Sequence, residues 1–243
     1  MAILLIALSV APARGEVTPM DAVLKEDAIT RITCRYGGEQ VTPEPGITFS
    51  PAAGEYHYDL YLPAGYNADP KAVFACLFVA SPGGNAGLGA MAERVKRDRF
   101  IAVMLVESKN GAWEPGIANF CSAHDDVIKR LRVAEGFKYM TGMSGGARST
   151  SMYTALRPGF VGMFLQAAGF WQTPDGPYAM NGVRENSRMA VYATFGTKDM
   201  NLDEAGLLAQ YLPAKTAYHP RIFRGGHQWA PKPQVEEAFD WLE

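Results

Sequence analysis

Residues 138–156 read KYMTGMSGGARSTSMYTAL, and this stretch decides how the rest of the chain folds. A short apolar run, Tyr139-Met140, leads into Gly142-Met143-Ser144-Gly145-Gly146, and a helix-competent segment comes next. The order is strand, sharp turn, helix, with a serine at the apex. The glycines have a steric role, because side chains two positions either side of the apex would collide where strand and helix close up around a strained turn. The helix after the turn aims its N-terminus at Ser144, where unpaired N–H groups favour developing negative charge. A Gly-rich turn with no chemistry has the same letters, so the serine is weighed with what else the chain supplies. A nucleophilic serine needs a base and an orienting acid.

Outward from this stretch, strands alternate with helices. Upstream, residues 19–28 read as a short helix and 29–35 as a strand, and Pro43, Pro45, Gly46, Pro51 and Gly54 break up the residues between 36 and 55. Residues 56–62 alternate as a strand does and end at the turn Pro63-Ala64-Gly65-Tyr66. Residues 73–80 form a continuous apolar run, the signature of a strand buried on both faces of a parallel sheet. A helix over 88–97, a strand over 100–106 and an amphipathic helix over 122–134 come next. Downstream lie strands at 161–168, 189–195 and 218–223 and helices at 202–212 and 231–242, with a loop over 169–188. This alternation predicts one α/β domain, a mostly parallel twisted sheet with helices on both faces.

Two further strands end in loops that present a polar side chain. Residues 189–195 run into Gly196-Thr197-Lys198-Asp199, and residues 218–223 into Arg224-Gly225-Gly226-His227-Gln228-Trp229. In an open parallel sheet the carboxyl ends of the strands share one edge, and ligands bind in the crevice there. Ser144, Asp199 and His227 therefore project from the same edge despite their separation in sequence. Asp199 has an alternative use as an N-cap of the helix near Leu202, with Asp203 the substitute acid. His227 is framed by two glycines on a strand-end loop, whereas His57, His124 and His219 lie within or beside regular elements.

The chain order Ser…Asp…His is that of α/β-hydrolases. From Tyr58-Asp59-Leu60-Tyr61-Leu62-Pro63 to His227, the sequence resembles the α/β-hydrolase esterases that include polyhydroxybutyrate depolymerases and feruloyl or acetylxylan esterases. The resemblance implies hydrolysis of small-molecule or polymeric carboxylic esters through an acyl-serine, with Ser144 as nucleophile, His227 as base and Asp199 as acid. Gly145 N–H is the expected first oxyanion donor. Those esterases carry His-Gly where this chain has Ser81-Pro82, and proline has no N–H, so the second donor falls to Gly83, with Gly84 behind it. Trp113, Trp171 and Trp229 sit in loops near the same edge, with Tyr178 beside Trp171. They suit an open aromatic cleft for a phenolic acyl group or a sugar face, or else packing beneath the loops. Two other activities fit the same residues: a serine peptidase, or a catalytically silent relative that binds carbohydrate or protein.

Composition narrows the remaining classes. Over 243 residues, 23 Lys and Arg balance 25 Asp and Glu with the basic residues scattered, so no nucleic-acid footprint is expected. The basic run at 93–99 reads as the solvated face of a helix. Three cysteines and four scattered histidines offer no metal-ligand spacing, and no phosphate-loop or dinucleotide fingerprint is present, so no metal or cofactor is implied. A Cys34–Cys121 bridge is conceivable, while Cys76 reads as a small buried hydrophobe. The apolar run at 2–10 is too short to span a bilayer, and Ala11-Pro12-Ala13 has the A-x-A form of a signal-peptidase site. Residues 1–13 are thus expected to be a signal peptide and the protein secreted or periplasmic; a buried N-terminal strand in a cytoplasmic protein is the alternative. Oligomeric state is not encoded in any feature of the sequence.

Overall fold

The computed structural model describes residues 24–173, 181–186 and 188–243. Residues 1–13, expected from the sequence to be a signal peptide, the start of the helix expected over 19–28, and Tyr178 lie outside the described residues. In chain order the elements are β1 (Ile29–Tyr36), β2 (Val41–Glu44), β3 (Ile47–Phe49), β4 (Gly54–Tyr61), β5 (Phe74–Ala80), α1 (Ala92–Arg97) and β6 (Ile101–Leu105). Next come α2 (Trp113–Arg130), β7 (Val133–Met143), α3 (Gly145–Leu156), β8 (Phe160–Gln166) and α4 (Asn181–Arg184). The last are β9 (Ala190–Gly196), α5 (Glu204–Tyr211), β10 (Ala217–Phe223) and α6 (Lys232–Leu242).

One eight-stranded sheet runs β1-β4-β6-β5-β7-β8-β9-β10. Only β4 opposes its neighbours; every pair from β6 to β10 is parallel. The central strands are apolar on both faces because both are covered. On one side Ile117 and Phe120 of α2, Met152 of α3 and Leu208 of α5 pack on the sheet; on the other Val95 of α1 and Val235 and Phe239 of α6 do. Each such fully buried side chain contributes about 1.5–3 kcal/mol. The expected α/β sheet with helices on both faces is what forms. At the outer edge β10 carries Pro220 and Arg221, which blunt further strand pairing.

Several elements differ from the sequence expectation. Residues 24–28 are not helical: Asp27 N–H donates to Leu62 O at 2.8 Å, and the Glu26 carboxylate accepts from Gly65 and Asn67, capping the turn after β4. The stretch broken by prolines contains the β2–β3 hairpin, turned by Pro45-Gly46 with Gly46 at φ 82°. Helix α2 starts nine residues before the expected Ser122, because Pro115 falls in its first turn, where its missing N–H costs nothing. In the basic run, Arg94 is buried between α1 and α6, ion-paired with Asp98, Glu236, Asp240 and Glu243. All three cysteines are buried and free, so there is no Cys34–Cys121 bridge, and burial raises the Cys34 thiol to about 11.

Beneath the sheet's other end sits a polar group that the packing holds in one protonation state. His124, ringed by Phe78, Phe120 and Phe160, places Nδ1 2.9 Å from Asp125 Oδ1 and Nε2 2.8 Å from Lys138 Nζ. The carboxylate can only accept and the ammonium only donate, so the ring is the neutral Nδ1–H tautomer. Burial, with the Lys138 charge, lowers His124 to about 4, and burial lowers Lys138 to about 8. Between pH 6.5 and 4 the unfolded chain takes up a proton on His124 that the folded one refuses, so acid favours unfolding. Stability is expected to fall across that window by up to about 3 kcal/mol from this residue. Urea midpoints measured from neutral pH down to about pH 4 should descend less steeply in His124→Gln than in wild type.

Candidate active site

At the carboxyl edge of the sheet, β7 ends in Met143 and α3 begins at Gly145, leaving Ser144 alone in the turn with φ 55° and ψ −119°. A non-glycine residue there carries roughly 1–3 kcal/mol of backbone strain. The turn is held by its neighbours: Ser144 N–H donates to Gln166 O at 2.8 Å. A Cβ on Gly142 would lie 2.3 Å from the Gly146 carbonyl, and one on Gly146 2.5 Å from Ala80 O. The two glycines thus let strand, helix and the end of β5 close onto one another, as the sequence implies.

Asp199 and His227 come from the loops after β9 and β10, which are fastened together. Thr197 N–H donates to Phe223 O and Lys198 N–H to Gly225 O, each at 2.8 Å, and a Cβ on Gly196 would lie 2.3 Å from Gly226 O. His227 Nδ1 is 2.8 Å from Asp199 Oδ1, and its Nε2 is 2.8 Å from Ser144 Oγ. The carboxylate accepts from Nδ1–H, which leaves the Nε2 lone pair facing the serine hydroxyl. The Asp199 side chain is fully buried; Oδ1 also accepts from Asn201 N–H at 2.9 Å, and Oδ2 has no partner among the described residues. Asp199 does not cap α5. Asp203 holds that position, exposed, and the carboxylate beside His227 is that of Asp199.

The loop after β5 clarifies the donors. Gly84 N–H donates to Ser81 O at 3.1 Å within the turn, which leaves it unable to serve an oxyanion. Gly83 is exposed, and its N–H has only a 3.4 Å contact with Ser81 Oγ. Gly145 opens α3, where N–H groups lack intrahelical acceptors.

The tryptophans do not form a common wall. Trp171 is 4% exposed and packs against Phe49 and Trp113 on the α2–α3 side, its backbone N–H donating to Ser151 Oγ; this is packing beneath the loops. Trp113 is partly buried in that cluster at the start of α2, and Trp229 packs into the cluster on the opposite face.

Two supporting features escaped the sequence reading. Gln166, buried at the end of β8, donates from Nε2 to Thr141 Oγ1 at 2.9 Å and accepts the Ala230 N–H on Oε1 at 3.0 Å, joining the serine strand to the histidine loop. Arg148 of α3 pairs with Glu204 at 2.6 Å, and Glu204 in turn accepts from Gly169 N–H, tying the serine helix to the aspartate loop. The available signal was a polar residue closing an apolar strand, as Gln166 closes Phe160–Leu165. Among the described residues no group of three or more His, Cys, Asp or Glu could hold a metal ion, and no helix is long and apolar enough to cross a membrane.

No family model matches the sequence, and no curated protein matches it. Solved structures do match. A ferulic acid esterase shares 13% identity at a TM-score of 0.59, covering 88% of this chain and 96% of that one. A feruloyl esterase module from Clostridium thermocellum, complexed with sinapinate, shares 12% at 0.59, covering 86% and 84%. The acylaminoacyl peptidase of Pyrococcus horikoshii shares 9% at 0.58, covering 90% of this chain and 41% of that one. These neighbours, with the strand order β1-β4-β6-β5-β7-β8-β9-β10 and the serine turn between β7 and α3, establish that the chain has the α/β-hydrolase fold.

Proposed function

We propose that the protein is a serine esterase that hydrolyses carboxylic esters through an acyl-serine. The observation that carries this reading is the pair of 2.8 Å contacts linking Ser144 Oγ, His227 and Asp199 in one line. Ser144 Oγ attacks the ester carbonyl while His227 Nε2 takes its proton, and Asp199 holds the ring and stabilises the imidazolium. The carbonyl electron pair moves onto oxygen, where Gly145 N–H, Gly83 N–H and the positive end of α3 oppose the charge. Collapse breaks the bond to the alkoxide, which leaves with the proton from His227. Water, deprotonated by His227, then releases the acid and restores the serine.

The scissile bond is inferred from the sequence resemblance and from the feruloyl esterases among the structural neighbours. Export is part of the proposal, resting on the A-x-A segment at residues 11–13. A panel of p-nitrophenyl, feruloyl and acetyl-sugar esters, assayed against short peptides, tests the reading. Wild type should turn over esters faster than peptides, and Ser144→Ala should be inert; equal rates in the two proteins remove the claim.

A further inference from the structure

The loop after β6 reaches the serine turn without contributing to the Ser144–His227–Asp199 line. Its course is fixed on three sides. Ser108 N–H and Glu107 N–H donate to Asn119 Oδ1 of α2 at 3.2 and 3.0 Å, and Ser108 Oγ lies 2.9 Å from the Tyr153 hydroxyl of α3. Asn110 N–H then donates to Pro82 O at 2.9 Å, and Gly83 pairs with Lys109, so this loop and the loop after β5 run together. From that anchorage the Asn110 side chain extends over Gly145: a Cβ placed on Gly145 would lie 1.7 Å from Asn110 Oδ1. The carboxamide therefore occupies the space that a side chain on the residue after the nucleophile would fill. It is exposed and makes no side-chain hydrogen bond to a described residue. A half-turn about χ2 exchanges its oxygen and nitrogen without breaking any such bond.

Resting on the serine-esterase reading, we propose that Asn110 is a side-chain oxyanion donor, its Nδ2–H directed at the oxygen that becomes negative on attack by Ser144. Asn110 stands between the two backbone segments expected to supply donors, Pro82-Gly83 and Gly145. The former lacks one N–H at Pro82 and presents Gly83 exposed. A carboxamide on a fixed backbone offers a dipole aimed before the charge develops, which is the arrangement that lowers a barrier without reorganisation. The donor role also explains Gly145, which the turn geometry does not require to be glycine. Any larger residue there would displace the amide.

The test compares wild type, Ser144→Ala, Asn110→Ala, Asn110→Asp, Gly145→Ala and the Asn110→Ala/Gly145→Ala double variant on p-nitrophenyl acetate. A trifluoromethyl ketone is used as inhibitor, because addition of Ser144 to it creates the same oxyanion. Asn110→Ala should lose about 10²-fold in kcat with KM held within about threefold, and the ketone should bind more weakly by a similar factor. Asn110→Asp should lose more, since a carboxylate repels the oxyanion. Gly145→Ala should resemble Asn110→Ala, and the double variant should be no worse than either, because both remove one interaction. The amide is exposed, so melting temperatures should stay at the wild-type value. If Asn110→Ala keeps its kcat, or loses activity only through KM, while Ser144→Ala is inert, the donor role is wrong and the esterase reading stands. If Ser144→Ala is as active as wild type, both fall.

Discussion

Ser144→Gly and Ser144→Ala should both be inert towards esters, with losses of roughly 10⁴-fold or more, yet the glycine variant should be the more stable of the two. Both lack the hydroxyl and its contact with His227, so their difference isolates the backbone. In a helix or strand, alanine is favoured over glycine by roughly 0.5–1 kcal/mol, because glycine loses more freedom on folding. At φ 55° and ψ −119° that order reverses, since only glycine adopts this conformation without a Cβ clash. Setting relief of strain against the entropy cost leaves glycine ahead by about 1 kcal/mol, or roughly 2–4 °C in melting temperature for a chain of this size. Calorimetry of the two inactive variants measures it. If Ser144→Ala proves as stable as Ser144→Gly, the turn carries no strain.

The second large effect belongs to the glycines flanking that serine. Gly146→Ala should lose more than about 3 kcal/mol of stability, and Gly142→Ala a comparable amount. In each case the new methyl meets backbone, not a yielding side chain: Ala80 O at 2.5 Å for residue 146, the Gly146 carbonyl at 2.3 Å for residue 142. Relief demands that α3 move away from β5 and β7, which opens the core under Ala147 and Met152. The contrast with Gly145→Ala is the control, because there the obstacle is the free end of Asn110. Urea unfolding of the three variants should separate them clearly. Near-wild-type stability in Gly146→Ala would show that the close approach of helix and strand is not tight.

These glycines also show why the centre of the molecule was legible. Gly142, Ser144 and Gly146 encode their contacts in a spacing of two, and the contacts they make are with one another and with the end of a recognisably buried strand. Asp199 and His227 could be found for a related reason: each comes after an apolar run whose carboxyl end must lie on the shared edge. Asn110 and the Arg148–Glu204 pair could not, because their partners lie far away in sequence and no local pattern marks them, and Gln166 left only the trace of a polar residue closing an apolar strand, with nothing to name its partners. The start of α2 was hidden by Pro115-Gly116, letters that break a helix interior but fit a first turn. Trp171 left two readings open in the sequence, a cleft wall or packing beneath the loops. A loop position suggested access, and packing against Phe49 and Trp113 removed it.

The fastening of the β9 and β10 loops has a practical corollary. Asp199 and His227 ride together on the outermost strand pair, while Ser144 belongs to the middle of the sheet. Fraying of that border parts imidazole from hydroxyl yet keeps imidazole with carboxylate, and the rest of the core need not notice. Turnover should accordingly fade on warming before circular dichroism records any melting, making catalysis itself the most sensitive thermometer of how well the margin of the sheet is seated.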